Sequence, residues 1–167
     1  VIIDNYPEGQ TEKLLVDRHP DHPEMGKSEV TFGKEIYIEK NDFMVDPPKK
    51  YFRMFPGNEV RFKGAYFLTC TSYETDENGE VTCIHCTYDP DSFGGESPDG
   101  RKVKGTLHWV SAKTAADVEV RLYDRLFMVE NPSDEEGVSS FADNLNPNSL
   151  QVIEGALIEN DVALAKA

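Results

Sequence analysis

The chain contains no run of eighteen apolar residues, which excludes a helix that spans a membrane. It has three cysteines, Cys70, Cys83 and Cys86. An odd number, two of them close together, is not the pattern of a secreted disulfide framework. Cys83-Ile84-His85-Cys86 has the spacing of half a zinc or redox site, but no second pair follows to complete a structural zinc. Strand alternation would place Val81, Cys83 and His85 on one face and Cys86 on the other. No metal site is therefore expected, and the thiols read as reduced cysteines of a cytoplasmic protein. GxSxG, a P-loop, GxGxxG after a strand and HExxH are all missing, so no catalytic residue is expected either. The opening Val1-Ile2-Ile3-Asp4-Asn5-Tyr6 lacks a basic region and a cleavage site, so it does not read as a signal peptide. With no initiating Met, the sequence reads as a piece of a longer chain.

Positive charge is also scarce, with 17 Lys and Arg against 31 Asp and Glu and a net charge of −14. Such a chain repels nucleic acid on average. Yet twelve of the 17 basic residues lie between Lys40 and Arg125. One cluster is Lys49-Lys50-Tyr51-Phe52-Arg53. Another runs from Arg101-Lys102-Val103-Lys104 through His108-Trp109 and on to Arg121-Leu122-Tyr123-Asp124-Arg125-Leu126-Phe127. Basic and aromatic residues alternate in them, so one strand face can carry charge while the other enters a core. Two readings are open: a surface that selects where a polyanion lands, or a solvated strand face.

The dominant hydrophobic period is two. Short strands are expected at Glu35–Glu39, within Asn58–Tyr73, and at Val81–Tyr88, Lys102–Val110, Val118–Val129 and Leu150–Ile158. Asn78-Gly79 marks a hairpin, because both residues tolerate positive φ. Residues 89–100, rich in Pro, Gly, Asp and Ser, read as loop. Ser111 can cap one helical turn. His19-Pro20-Asp21-His22-Pro23-Glu24 carries possible metal donors, but the prolines hold it extended and it reads as a structural loop. Many short strands with polar turns and no long helix define an all-β sandwich or barrel. A basic and aromatic surface on such a fold suits single-stranded nucleic acid, whose bases stack on Tyr or Phe and offer their edges to Arg.

Several segments also resemble one family. Asp99-Gly100-Arg101-Lys102-Val103-Lys104-Gly105-Thr106-Leu107-His108-Trp109-Val110-Ser111-Ala112, with Glu119–Phe127, is similar to the C-terminal anticodon-binding region of glutaminyl-tRNA synthetases. So are His19–Gly26, Asp46-Pro47-Pro48-Lys49-Lys50-Tyr51-Phe52-Arg53, Pro56–Arg61 and Cys86-Thr87-Tyr88-Asp89-Pro90. These segments follow family order and cover nearly the whole chain. The resemblance implies two antiparallel β-barrels of the ribosomal-protein-L25-like type, the barrel nearer the catalytic body incomplete. Residues 30–110, approximately, would form the distal barrel, and 1–29 and 111–167 parts of the proximal one.

It further implies a non-catalytic fragment of a glutamine–tRNA ligase. The full enzyme would use ATP, and this fragment no cofactor. The expected partner is tRNA(Gln), not DNA or a membrane, and the expected state is a monomer in the cytoplasm. By resemblance Arg53 holds the third anticodon base with Lys50 close by, and Arg61 contacts the first base. Lys63 stands where an Arg is often found, Phe52 where some relatives carry Lys, and Asp21 where some carry Asn. Other readings are the equivalent region of a related glutamyl-tRNA synthetase, a free-standing L25-like protein that binds ribosomal RNA, and a module that binds protein alone.

Overall fold

The computed structural model describes residues 1–19, 21–132 and 140–160. Eleven strands follow one another: β1 (Ile2–Ile3), β2 (Thr11–Asp17), β3 (Lys27–Gly33), β4 (Ile36–Tyr37), β5 (Glu59–Phe62), β6 (Phe67–Thr75), β7 (Val81–Asp89), β8 (Thr106–Leu107), β9 (Val110–Ser111), β10 (Ala116–Tyr123) and β11 (Leu150–Ile158). The helical elements are short 3-10 turns, and with eleven strands the protein is all-β. The chain divides into two compact units, Val1–Ala116 with Glu159–Ala167, and Asp117–Ile158.

In the first unit a five-stranded sheet has the order β1-β7-β6-β5-β8. At its β1 edge the ladder continues: Ile3 N–H donates to the Lys34 carbonyl at 2.8 Å and Ile36 N–H to the Val1 carbonyl at 3.1 Å. β4 then pairs antiparallel with β9. β8 and β9 are separated by two residues only, so the segment Thr106–Ser111 serves both ends of the ladder and the sheet curls round on itself. β2 and β3 form an antiparallel hairpin, from Thr11↔Gly33 to Asp17↔Lys27.

Alternation supplies the filling. In β5, Val60 and Phe62 are buried while Glu59 and Arg61 are only partly so. Phe32, Phe62, Phe67, Ile3, Ile36, Met54, Leu68 and Leu107 are almost completely buried. Each such side chain contributes roughly 1.5–3 kcal/mol relative to exposure. Phe32 is the aromatic hub, edge-on to Trp109 at 5.3 Å and to Tyr6 at 5.4 Å. The polar ends of these rings are satisfied: Trp109 Nε1–H donates to the Lys63 carbonyl at 3.0 Å, and the Tyr6 and Tyr66 hydroxyls donate to the Glu12 carboxylate at 3.1 and 2.9 Å. Burial, reinforced by Glu12, pushes both phenols well above their ordinary range.

Several sequence expectations are refined. The run 102–110 is not one strand: residues 101–105 pair in no ladder, and 106–111 bends between two partners. The β6–β7 hairpin is present, but its turn is organised by Asp76, whose carboxylate accepts from Asn78 and Glu80 N–H, both at 2.9 Å. Only Gly79, at φ 82, takes positive φ there; Asn78 does not. Ser111 does close a turn, with its carbonyl accepting from Ala115 N–H at 2.9 Å. The hairpin β2–β3 was not anticipated, because its alternation is masked: Leu15 is exposed and only Leu14 of β2 is buried.

In the second unit β10 and β11 pair as a two-stranded sheet. β10 stops at Tyr123 rather than reaching Val129, and Phe127 forms an antiparallel bridge with Leu145. β11 matches the expected bounds Leu150–Ile158.

Candidate nucleic-acid interface

Residues 121–127 lie in the second unit, while parts of the two basic and aromatic clusters, Tyr51-Phe52 of one and residues 102–105 of the other, come together in the first. They line opposite walls of an open cleft of about 440 Å³, with Tyr51, Phe52, Phe55, Asn58 and Glu59 on one side and Lys102, Val103, Lys104 and Gly105 on the other. The walls meet at Gly105. A Cβ there would collide with the Phe52 carbonyl oxygen and lie 3.1 Å from Val60 Cγ1, so only glycine permits this approach. The cleft has the parts that a nucleobase needs: ring faces, amide donors and acceptors, and ammonium groups for phosphate. Lys104 Nζ lies 5.2 Å from the centroid of the half-exposed Phe52 ring, a cation–π contact. Tyr51 is fixed by its hydroxyl, which donates to the Asn41 carbonyl at 3.1 Å, and burial raises its pKa. Asn58 Nδ2 donates to the Arg53 carbonyl at 2.8 Å and holds the loop shut.

Arg53 stands next to this wall. Its guanidinium pairs with Asp42, whose side chain is 3% exposed, while the Arg53 side chain is 53% exposed. Arg53 thus neutralises a buried carboxylate and still shows half of its surface to solvent. Lys50 is exposed and adopts φ 72, the only non-glycine described residue with positive φ. That backbone costs about 1–2 kcal/mol for an L residue with a Cβ. The turn that contains it is closed by Tyr51 N–H donating to the Pro48 carbonyl at 3.2 Å.

Arg61 lies on β5 opposite Phe67 and Thr106. Its guanidinium is 5.5 Å from the Phe67 ring centroid, and its stem passes over Gly95, where a Cβ would be 2.6 Å from Arg61 Cδ. Arg61 Nε is buried and has no hydrogen-bond partner among the described residues. Lys63 is exposed; its backbone donates to the Leu107 carbonyl at 3.0 Å. Asp21 is exposed on the loop between β2 and β3, with its N–H donating to His19 Nδ1 at 3.1 Å. Of the six residues singled out in the sequence only Phe52 lines the cleft; Lys50, Arg53, Arg61, Lys63 and Asp21 do not.

Arg101 is partly exposed, but its guanidinium braces neighbouring segments and does not stand free on the surface as its sequence cluster suggested. Its guanidinium forks onto Glu59 at 2.9 and 3.0 Å, reaches Asp99 at 2.9 Å and Asp89 at 2.5 Å, and lies 5.2 Å from the Phe67 ring centroid. With four hydrogen bonds to three carboxylates, it ties the loop 96–105 to β5 and β7. Hydrogen bonds from Ser97, and then from Arg101, lower the Asp99 pKa to about 2, and the Arg101 side chain lowers that of Asp89. Arg121, in the second unit, pairs with Glu119 at 2.5 Å. Sequence reasoning missed Phe55 and Asn58 as cleft residues. Their signal was the Pro56-Gly57-Asn58 turn, which follows a basic and aromatic run directly.

An all-β unit with a cleft lined by aromatic rings, an amide and lysines has the chemical groups that unpaired bases can use. Comparison with known proteins is more specific. Two family models match, each described as tRNA synthetases class I (E and Q), anti-codon binding domain, over residues 1–89 and 106–167. Similar curated relatives include the glutamine–tRNA ligase of Bradyrhizobium diazoefficiens, 53% identical over 98% of this chain and 28% of that protein. That of Clostridium kluyveri is 51% identical over 100% of this chain and 30% of that protein. The chain therefore belongs to the anticodon-binding domain family of the class I glutamate and glutamine tRNA synthetases. It spans less than a third of the length of these relatives.

Proposed function

We propose that this chain reads the anticodon of tRNA(Gln) as part of a cytoplasmic, monomeric glutamine–tRNA ligase. Amino-acid activation with ATP would be the work of the rest of that enzyme. The observation that carries the reading is the cleft between residues 51–59 and 102–105, which joins two basic and aromatic segments in a chain of net charge −14. A base seated there gains about 1–3 kcal/mol from stacking on an aromatic ring, while Lys102 and Lys104 meet the backbone.

Arg53 and Lys50 stand at one end of the segment that forms the cleft wall, and each bears a mark of use. Arg53 is held in place by a buried acid but half exposed. Lys50 keeps a backbone conformation that L residues avoid, and such strain is concentrated at functional sites. These features support a role for Arg53 and Lys50 at the third anticodon base. Arg61, whose guanidinium forms no salt bridge with a described carboxylate, is proposed to contact the first base through its terminal nitrogens. Phe52 offers a stacking face. Lys63 and Asp21 fit contacts outside the cleft, with phosphate for Lys63 and a base edge for Asp21.

The test is binding of tRNA(Gln), and of tRNA(Gln) with its whole anticodon replaced, to the full-length protein and to the protein lacking these residues. The expected result is a preference of at least tenfold for the native anticodon that disappears with the deletion. Equal affinity for both tRNAs in the intact protein would overturn the proposal.

A further inference from the structure

The hairpin of β6 and β7 carries a cluster that anticodon reading does not use. Glu74 on β6 and Cys83 on β7 are direct cross-strand partners, and His85 lies two residues further along β7 on the same face. His85 Nε2 is 3.8 Å from Cys83 Sγ and 3.3 Å from Glu74 Oε1. All three donor atoms lie within 4.8 Å of one another. On a tetrahedral zinc, with bonds of about 2.0–2.3 Å, an imidazole nitrogen is about 3.4 Å from a carboxylate oxygen and about 3.6 Å from a thiolate sulfur. The spacings in the hairpin match both within a few tenths of an ångström.

The other ring nitrogen of His85 is already held. Its Nδ1 is 3.0 Å from Asp4 Oδ1. Asp4 follows β1, which runs parallel to β7, and its N–H donates to the Cys86 carbonyl at 2.8 Å. A carboxylate on one nitrogen fixes the tautomer and leaves the lone pair of the other free for a metal.

We propose that Glu74, Cys83 and His85 form a binding site for a divalent cation of the zinc class, with water as fourth ligand and Asp4 as the positioning residue. Sulfur, imidazole and carboxylate together select zinc over magnesium or calcium. On binding, the Cys83 thiol gives its proton to solvent, and His85 binds as the neutral ring with its proton on Nδ1 toward Asp4. The Cys83-x-x-Cys86 spacing thus points to the wrong partner. Cys86 faces the interior, 3.8 Å from Met54 Sδ, and is out of reach. His85 is 22% exposed and Glu74 65%, so an ion can enter from solvent.

The test is titration of the full-length protein with cobalt(II), kept reduced by a phosphine. The expected result is a thiolate-to-cobalt charge-transfer band that saturates with one equivalent, is displaced by zinc and is abolished by Cys83→Ser. His85→Gln and Glu74→Gln should each weaken binding at least tenfold, and Asp4→Asn about 10–100-fold. Unchanged circular dichroism and tRNA binding would show each variant to be folded. A protein that gives no such band, or a band that survives Cys83→Ser, overturns the site. Unchanged affinity in Asp4→Asn overturns the positioning role. If the site is overturned, His85 is an imidazole bridging two carboxylates.

Discussion

Replacing Gly105 with Ala should damage stability and RNA binding together. Gly105 is not among the residues with positive φ, so the alanine backbone is relaxed and the whole effect is steric. The added methyl would overlap the Phe52 carbonyl oxygen on one side and press on Val60 Cγ1, 3.1 Å away, on the other. Neither neighbour yields easily. Val60 is fully buried in β5, and Gly105 is pinned by its own carbonyl, which accepts from Arg61 N–H at 2.8 Å. The remaining escape is a shift of the wall 51–53 by more than 1 Å. Overpacking that moves backbone costs about 1–3 kcal/mol, and the upper half of that range applies here. In urea this is a fall in midpoint of about 1 M at unchanged slope. Fluorescence of Trp109, the one tryptophan of the chain, reports it. tRNA affinity should fall by at least tenfold, because both walls of the cleft change their spacing. An unchanged midpoint would refute the close approach of Phe52 and Gly105. A lowered midpoint with unchanged tRNA affinity would refute the cleft as the RNA surface.

Ser92 is fully buried, accepting from Phe67 N–H at 2.8 Å and donating to the Asp89 carbonyl at 2.6 Å, so Ser92→Ala should cost about 1–3 kcal/mol in urea unfolding. Asp89 and Asp99 have lowered pKa values, so their contribution to stability is complete above the unfolded carboxylate range near pH 4 and is lost as pH falls toward about 2. Unfolding midpoints measured across that window should fall, and Arg101→Gln should flatten the fall. Lys104→Ala should lower the slope of log affinity for tRNA against log salt by roughly one unit if Lys104 meets a phosphate, and titrations at three salt concentrations measure it.

The all-β class was readable from period-two segments because their apolar residues do enter the core: Val60 and Phe62, Leu68 and Cys70, Leu107 and Trp109. Strand bounds were readable where one segment has one partner, as in β11, and misread at 102–110. There the curl of the sheet makes one segment pair with β5 first and β4 afterwards, which no local pattern encodes. The hairpin β2–β3 stayed hidden because Thr11–Asp17 alternates charge with a single buried apolar residue. For the interface, the basic and aromatic clusters were visible, but their use was not. Arg101 and Lys104 look alike in sequence; three carboxylates from separate segments claim Arg101, and none of the described carboxylates forms a salt bridge with Lys104. Asp42, the buried partner of Arg53, carried no signal of its own, since on a chain with 31 acids any single one is unremarked.

The most direct test is aminoacylation by the full-length protein of tRNA(Gln) variants altered singly at each anticodon position, with Arg53→Ala, Arg61→Ala and Lys113→Ala compared with the parent. Lys113 is exposed in the turn after β9 and serves as the control. Each Arg substitution should lower kcat/KM discrimination at one anticodon position by about 1–3 kcal/mol, the third base for Arg53 and the first for Arg61, with Lys113→Ala close to the parent. If both Arg variants weaken every tRNA by the same factor, they touch phosphate or only brace Asp42 and Phe67, and base reading by these residues is contradicted.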